Sequence, residues 1–245
     1  MDLNLYQKKV LSQWGQDGVL EAIFDKIETT NKYFVEFGSS GNDVGMGNTA
    51  YLRRRGFHGL LMDGSETPYG SHVTDRHYKV EIEFISASNI NFLFKKYNVP
   101  TEFDFLSIDI DGQDFHVWNA IKDYNPRVVS IEINYHMIPG KDLVLERNDN
   151  WIWRKNERSG ASITALKKLG NKKGYSLVAT CMSDAIFVRN DLIYDKNNDP
   201  IFLNINNEFE LVKLNTDIHY ENVKYNFKDT HFDNMPEFYP SYKYL

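Results

Sequence analysis

The chain has little cysteine and no long apolar run. Cys181 is the single cysteine among 245 residues, so an internal disulfide is excluded. No apolar stretch approaches the ~20 residues that span a bilayer, and we expect no membrane span. Residues 1–14 are polar and lack the apolar core of a signal peptide. From these absences we expect a cytoplasmic protein.

Basic tracts and internal repeats are also missing. The formal net charge is −6, and the lysines and arginines are spread along the chain, which argues against attraction to a phosphate backbone. We therefore expect no nucleic-acid partner. The length and a hydrophobic content of 42% fit one domain over residues 1–245 better than two.

Strand and helix patterns alternate along most of the chain. Apolar residues at helical spacing predict helices over 18–29, 48–55, 90–97, 115–121 and 162–173. We expect Asp17 to cap the first of them. Apolar runs predict strands over 33–37, 59–63, 78–84, 105–110 and 128–133, and a hairpin over 175–181 and 185–189. This order indicates an α/β fold with a mostly parallel sheet, a terminal antiparallel hairpin and helices on both faces.

Two regions fall outside this alternation. The connection over 137–160 is much longer than usual, so we interpret it as a lid or substrate loop. Residues 190–245 form a C-terminal extension. Its aromatic tail, 232–245, is a candidate for a homodimer contact or for a cap on the core.

The first predicted strand runs into a turn of small residues, Glu36-Phe37-Gly38-Ser39-Ser40-Gly41. Glycine lets a ligand approach the backbone closely, which indicates a nucleoside-type cofactor. A dinucleotide fold would show G-x-G-x-x-G at this place, and that fingerprint is absent. The turn instead resembles the first motif of class I S-adenosylmethionine (SAM)-dependent methyltransferases, which implies a Rossmann-like sheet and SAM as cofactor.

Candidate cofactor contacts follow from position at the carboxyl ends of the strands. We expect the turn residues Gly38, Ser39, Ser40 and Gly41 to border the methionine part of SAM. Glu36 can bind its amino group, directly or through water. Asp63 can accept hydrogen bonds from the ribose hydroxyls, or it can form a simple turn. Ser86 and Ala87 would lie near the adenine edge, or Ser86 caps the next helix.

Carboxylates cluster after predicted strands four and five. Asp109 and Asp111 end one strand, and Glu132, Asn134 and His136 end the next. If these strands are neighbours, their ends lie about 5 Å apart, and buried acids without a cation are costly. Asp111 and His136 are the candidate catalytic bases, and Asp109 serves the cofactor or the catalytic geometry. An oxygen-rich set of this kind can also hold Mg²⁺. Each residue also has a plain structural interpretation, as a turn, an ion pair or a loop histidine.

Five short segments together resemble FkbM-like SAM-dependent methyltransferases over roughly residues 11–188. They are Ser12-Gln13-Trp14-Gly15-Gln16-Asp17-Gly18, 34–38, Asn48-Thr49, 59–64 and 106–112. The resemblance implies that Gln13 binds SAM. It also implies O-methylation of a small sugar-like or phosphorylated acceptor, in a surface-polysaccharide or secondary-metabolite pathway. Gln16 replaces the usual acidic residue of the opening motif, and 39–42 departs from the usual G-x-D-G-type turn.

Catechol-type O-methyltransferases offer a second comparison, because they bind a metal at the ends of strands four and five. Their strand-five pair is a consecutive Asp-Asn, whereas Ile133 separates Glu132 from Asn134 here. We therefore favour a reaction without metal. Two alternatives to the methyltransferase remain: an NAD-dependent Rossmann oxidoreductase, and a non-catalytic module that binds SAM or a partner.

Overall fold

Helices and strands alternate in the computed structural model, which describes residues 1–39, 47–64, 78–137, 139–153, 159–212 and 242–244. The helices are α1 (Gln16–Ile27), α2 (Ala50–Arg54), α3 (Ile90–Lys96), α4 (Asp114–Ala120) and α5 (Ile163–Lys172). The strands are β1 (Tyr33–Phe37), β2 (His58–Asp63), β3 (Glu81–Ile82), β4 (Glu102–Ile108), β5 (Asn125–Glu132), β6 (Leu143–Leu145), β7 (Tyr175–Cys181), β8 (Asp184–Arg189) and β9 (Tyr242–Tyr244). Short 3-10 helices lie at Leu3–Tyr6 and Asn190–Leu192.

Seven strands form the main sheet in the order β3-β2-β1-β4-β5-β8-β7. The first five strands of this order are parallel, whereas β8 runs antiparallel to both β5 and β7. The predicted α/β fold, mostly parallel with a terminal antiparallel hairpin, is confirmed. The carboxyl ends of β1, β2, β4 and β5 consequently meet at one edge of a Rossmann-like sheet.

Each face of the sheet is covered by helices, as expected. One apolar core packs α3, α4 and α5 against the sheet through Ile90, Leu93, Phe94, Val117, Trp118, Leu166 and Leu169. The other core packs α1, α2 and the amino-terminal segment through Leu3, Val19, Leu20, Ile23, Phe24 and Leu52. Among the described residues, no helix is long and apolar enough to cross a membrane.

The first helix begins at Gln16, earlier than predicted, and the capping role of Asp17 is wrong. Asp17 lies inside the first turn. Its Oδ2 accepts hydrogen bonds from the backbone N–H groups of Val10, Leu11 and Ser12 at 2.8, 2.6 and 2.7 Å. A negative charge at a helix amino terminus is favourable. Asp17 therefore fixes the loop before the helix rather than the helix end.

Two strands are shorter at their ends than predicted. β3 is limited to Glu81–Ile82, because only these residues pair with Met62 and Asp63 of β2. β4 ends at Ile108, and Asp111 adopts a left-handed backbone conformation with φ of 56°. Such a conformation ends the alternation of a strand. The strand predicted over 105–110 therefore ends two residues early, and a turn relates Asp109 to Asp111.

A second, two-stranded sheet was not predicted. β6 lies within the 137–160 segment and pairs antiparallel with β9 from the aromatic tail. Of that tail, only residues 242–244 are described. The earlier part of the C-terminal extension packs on the main sheet, where Phe202 and Leu211 are buried. The carbonyl group of Leu211 accepts a hydrogen bond from Thr180 Oγ1 in β7 at 2.9 Å.

Candidate functional site

A small polar cavity lies at the carboxyl ends of β1 and β4. Its lining consists of Gln13, Gln16, Glu36, Phe37, Gly38, Asn48, Ser107, Asp109 and Asp184. Among the described residues, this lining contains three carboxylates and no cationic side chain. Its volume of about 10 Å³ is close to the minimum for one water molecule. It therefore has room for a small polar group rather than for a whole nucleoside.

Glu36 connects β1 to the start of α2. Its carboxylate accepts hydrogen bonds from Asn48 N at 2.6 Å, Thr49 Oγ1 at 2.6 Å and Ser39 Oγ at 3.1 Å. Glu36 is 3% exposed, so these donors offset the cost of burying its charge. The predicted ligand residue Glu36 lines the cavity, and it also holds the β1 to α2 connection in shape.

Gly38 brings the ends of β1 and β4 together. Its φ is +66°, and a β-carbon placed on it would lie 1.9 Å from the carbonyl oxygen of Asp109. Only glycine permits this approach at a positive φ. Ser39 lies next in the chain and is buried at 2% exposure. The predicted contact residues Ser40 and Gly41 lie outside the described residues.

Asp184 is a cavity residue that sequence reasoning missed. Its Oδ2 accepts hydrogen bonds from Gln16 Nε2 and, at 3.2 Å, from Asn48 Nδ2. Burial raises the pKa of Asp184 to about 6, against the opposing effect of the two amide donors, and the charge of Glu36 adds to the rise. Gln16 was the available signal, since the resemblance expects an acid at this position and an amide there can donate to a carboxylate.

The opening motif forms a rigid loop at the cavity mouth. Besides the hydrogen bonds to Asp17, this loop depends on Gly18, where a β-carbon would lie 2.0 Å from the carbonyl oxygen of Tyr6. Ser12 Oγ accepts a hydrogen bond from Asp17 N at 3.3 Å. These contacts place the exposed Gln13 on the cavity wall, where the resemblance implied a ligand contact.

Three carboxylates converge beside the cavity. One carboxylate oxygen from each of Asp109, Asp111 and Glu132 lies within 4.8 Å of the other two. The register pairs Ile108 with Ile131, so the residues that follow them end adjacent strands. We call these three residues the carboxylate cluster. Their proximity was expected from the neighbouring positions of β4 and β5.

The carboxylate cluster is electrostatically unfavourable in its ionised form. Burial, and next the negative charge of Asp184, raises the pKa of Asp109 well above its ordinary value. Burial, and next the charge of Asp109, does the same to the pKa of Glu132. Asp111 is partly exposed, and the pKa of its carboxyl group is raised by the burial of that group and by the charge of Asp63. These shifts are typical of functional sites.

A tight turn positions Asp111. The carboxylate of Asp114 accepts hydrogen bonds from Ile110 N and Gly112 N, both at 2.8 Å. Burial raises the pKa of Asp114 to about 7, and the backbone donors oppose that rise. On the other side of the turn, Trp151 Nε1 donates to the carbonyl oxygen of Asp111 at 3.1 Å. A β-carbon on Gly112 would lie 2.4 Å from the same nitrogen.

The 137–160 segment is attached to the start of α4. Gln113 Nε2 donates to the carbonyl oxygen of Glu146 at 3.1 Å, and Gln113 Oε1 accepts from Asn148 N at 2.9 Å. His116 Nε2 lies 2.8 Å from the carbonyl oxygen of Leu145, and burial lowers the pKa of His116. Residues 145–151 of this segment therefore lie against the turn that carries Asp111.

The other residues predicted at the end of β5 make contacts outside the carboxylate cluster. Asn134 Nδ2 donates to the carbonyl oxygen of Ser159 at 2.9 Å, and its Oδ1 accepts from His136 N at 3.1 Å. The His136 ring packs on Tyr135, with ring centroids 4.2 Å apart. Among the described residues, His136 does not belong to the group of side chains that converge within 4.8 Å.

The predicted ribose and adenine residues occupy the next positions along the same edge. Asp63 ends β2 and influences Asp111 electrostatically. Ser86 and Ala87 are buried in the turn before α3. The amino-terminal cap of α3 is Asn89, not Ser86, and Asn89 Oδ1 accepts a hydrogen bond from Ser86 N at 2.9 Å.

Comparisons with known proteins assign no family to the chain. Neither the protein-family models nor the curated proteins contain a match to the chain.

Proposed function

We propose that the chain is a SAM-dependent methyltransferase that O-methylates a small, sugar-like or phosphorylated acceptor. The observation that carries this proposal is the charge of the polar cavity. Its described lining contains Glu36, Asp109 and Asp184 and no cationic side chain, so it favours a cationic ligand group. SAM carries an ammonium and a sulfonium group, whereas the pyrophosphate of NAD is anionic. The cavity has room for the ammonium end of SAM.

The order of the sheet supports the same proposal. Five parallel strands and a terminal antiparallel hairpin are what the class I methyltransferase resemblance implies. In this placement, the methionine part of SAM lies at the polar cavity beside Gly38 and Gln13. Its ribose lies at Asp63, and its adenine lies beside Ser86 and Ala87.

Methyl transfer to an oxygen needs alignment and a proton acceptor. The sulfonium carbon–sulfur bond breaks as the acceptor oxygen forms its bond to the methyl carbon, and S-adenosylhomocysteine leaves with both electrons of the broken bond. A base takes the proton of the acceptor hydroxyl. Asp111 and His136 are the candidate bases, and the 137–160 segment forms the wall on the acceptor side.

Calorimetry of the full chain with SAM, S-adenosylhomocysteine and NAD tests the cofactor. We expect binding of both adenosyl ligands and weak or no binding of NAD. Asp63→Ala removes the ribose acceptor and should weaken SAM binding by about 1–3 kcal/mol. Asp25→Ala is the matched control, because Asp25 lies on α1 and forms an exposed ion pair with Arg55. Tight NAD binding without a response to either adenosyl ligand would contradict the proposal.

A screen of hydroxyl-bearing acceptors with methyl-labelled SAM tests the reaction. We expect label transfer to a free or phosphorylated sugar-like compound. SAM binding without transfer to any acceptor in the screen would instead favour a non-catalytic SAM-binding module.

A further inference from the structure

The carboxylate cluster has the dimensions of a cation site. Two oxygens bound to one ion at about 2.4 Å each can be at most about 4.8 Å apart. The three oxygens of Asp109, Asp111 and Glu132 satisfy this limit, which applies to Ca²⁺, whereas Mg²⁺, with bonds of about 2.1 Å, needs its ligands within about 4.2 Å of one another. Their backbone positions are fixed by the protein, because Asp109 follows β4, Glu132 ends the adjacent β5, and Asp114 with Trp151 holds the Asp111 turn.

Glu132 offers an oxygen that the described protein leaves unused. Its Oε2 is buried and has no hydrogen-bond partner among the described residues. Ser130, two positions earlier on the same face of β5, is 0% exposed, and its hydroxyl also has no partner there. A buried carboxylate oxygen without a partner is costly. A bound cation removes that cost.

The described protein supplies no positive charge to this cluster. None of the ion pairs within the described residues includes Asp109, Asp111 or Glu132. The strongest charge effects on Asp109 and on Glu132 come from other carboxylates, including Asp184 and Asp114. Within the described residues, the negative charge of the cluster is therefore not balanced, and a bound cation would balance it.

We propose that Asp109, Asp111 and Glu132 bind one hard divalent cation, of the Mg²⁺, Mn²⁺ or Ca²⁺ class. Carboxylate oxygens are the ligands that such ions prefer. Three protein ligands leave coordination positions for water or for an oxygen of a bound acceptor. This site stands on its own geometry and does not require the methyltransferase proposal. With a cation bound, Asp111 is a ligand, and His136 remains the candidate base.

Titration of the full chain with Mn²⁺, followed by calorimetry and electron paramagnetic resonance, tests the site without SAM or an acceptor. We expect one Mn²⁺ per chain. Asp109→Asn and Glu132→Gln should each weaken binding by about 10- to 100-fold or more. Glu102→Gln should bind as the wild type does, because Glu102 lies at the opposite end of β4. The proposal would be overturned if the wild type bound no Mn²⁺. It would also be overturned if Asp109→Asn and Glu132→Gln bound Mn²⁺ as tightly as Glu102→Gln does.

Terbium luminescence adds a test of location. The Trp151 indole contacts the Asp111 turn, so Tb³⁺ in the cluster should emit when tryptophan is excited. Trp151→Phe should reduce this emission while Mn²⁺ still binds, and Glu132→Gln should abolish it. Emission that is unchanged in both variants would place the ion elsewhere and contradict the assignment. SAM calorimetry in the presence of a chelator separates the cation site from the cofactor proposal, because SAM binding and cation binding can each fail without the other.

Discussion

Gly38 and Asp109 are in backbone contact, because a β-carbon at position 38 would lie 1.9 Å from the Asp109 carbonyl oxygen. Neither backbone can yield without separating the ends of β1 and β4. The contact thus couples the turn after β1 to the carboxylate cluster. The distance between the proposed cofactor and the cluster is set by this contact.

Gly38→Ala should lower the free energy of unfolding and weaken SAM binding. Gly174→Ala is a matched control, because Gly174 also has a positive φ, of +85°, but no atom lies within 4 Å of the position that a β-carbon would take there. The left-handed conformation costs an alanine about 1–2 kcal/mol, which both variants should show in urea unfolding. We expect Gly38→Ala to lower the free energy of unfolding clearly more than Gly174→Ala does. Equal losses would show that the β1 to β4 contact relaxes freely.

Asp184 should make the protein less stable as the pH rises. Its folded pKa of about 6 exceeds the unfolded value of about 3.9, so the folded state binds the proton more tightly. The stability that this proton contributes is present below about pH 4 and is lost as the pH rises to about 6. Denaturant unfolding across this range should show a smaller loss in Asp184→Asn than in the wild type.

Asp191→Asn provides a control, because the contribution of Asp191 to stability depends on pH in the opposite direction. The hydrogen bond from Arg189 lowers the pKa of Asp191, so its contribution is lost as the pH falls. If Asp184→Asn left the pH dependence of stability unchanged, the buried carboxylate would not titrate in this range.

The buried ion pair between Arg127 and Asp104 should have a structural role and contribute to the stability of the fold. The two groups are 3.0 Å apart and nearly fully buried, and Arg127 also donates to the carbonyl oxygens of Ile27 and Glu28. Arg127→Met leaves the Asp104 charge without its partner and should cost about 3–5 kcal/mol in denaturant unfolding. Arg147→Met breaks an exposed pair with Asp149 and should cost less than about 1 kcal/mol. Similar losses in both would contradict the structural role.

Asp111 and His136 should be separable by kinetics. Once an acceptor is known, Asp111→Asn and His136→Ala should each lower turnover by about 10²-fold with SAM affinity nearly unchanged. Only Asp111→Asn should also weaken Mn²⁺ binding, because Asp111 and not His136 is a proposed ligand. Full activity in both variants would place the chemistry elsewhere, most directly on the 137–160 segment.

Much of the fold was predictable because its signals are local. Apolar runs of five or six residues marked β1, β2 and β5, and Ser162 caps α5 through a hydrogen bond from Ala165 N to its Oγ at 3.2 Å. The convergence of Asp109 with Glu132 followed from adjacent parallel strands. The strand and cap signals do not depend on the order of the sheet, whereas this convergence does.

The rest of the site depends on contacts between distant parts of the chain. Gln16 and Asp184 are 168 positions apart, and they meet only because β8 inserts beside β5. Asp17 resembles a helix cap in sequence, but three N–H groups of the preceding loop compete for its carboxylate. The turn at Asp111 likewise depends on Trp151, which lies 40 positions further along.

The pairing of β6 with β9 has a consequence for the order in which the molecule is made. A chain is synthesised from its amino terminus, so β6 leaves the ribosome long before residues 242–244. Until they arrive, the edge of β6 that β9 occupies exposes its backbone polar groups. The main sheet can be complete by then, since its last strand ends at Arg189. Among the described residues, the β6–β9 pair is therefore the last part of the fold that can form.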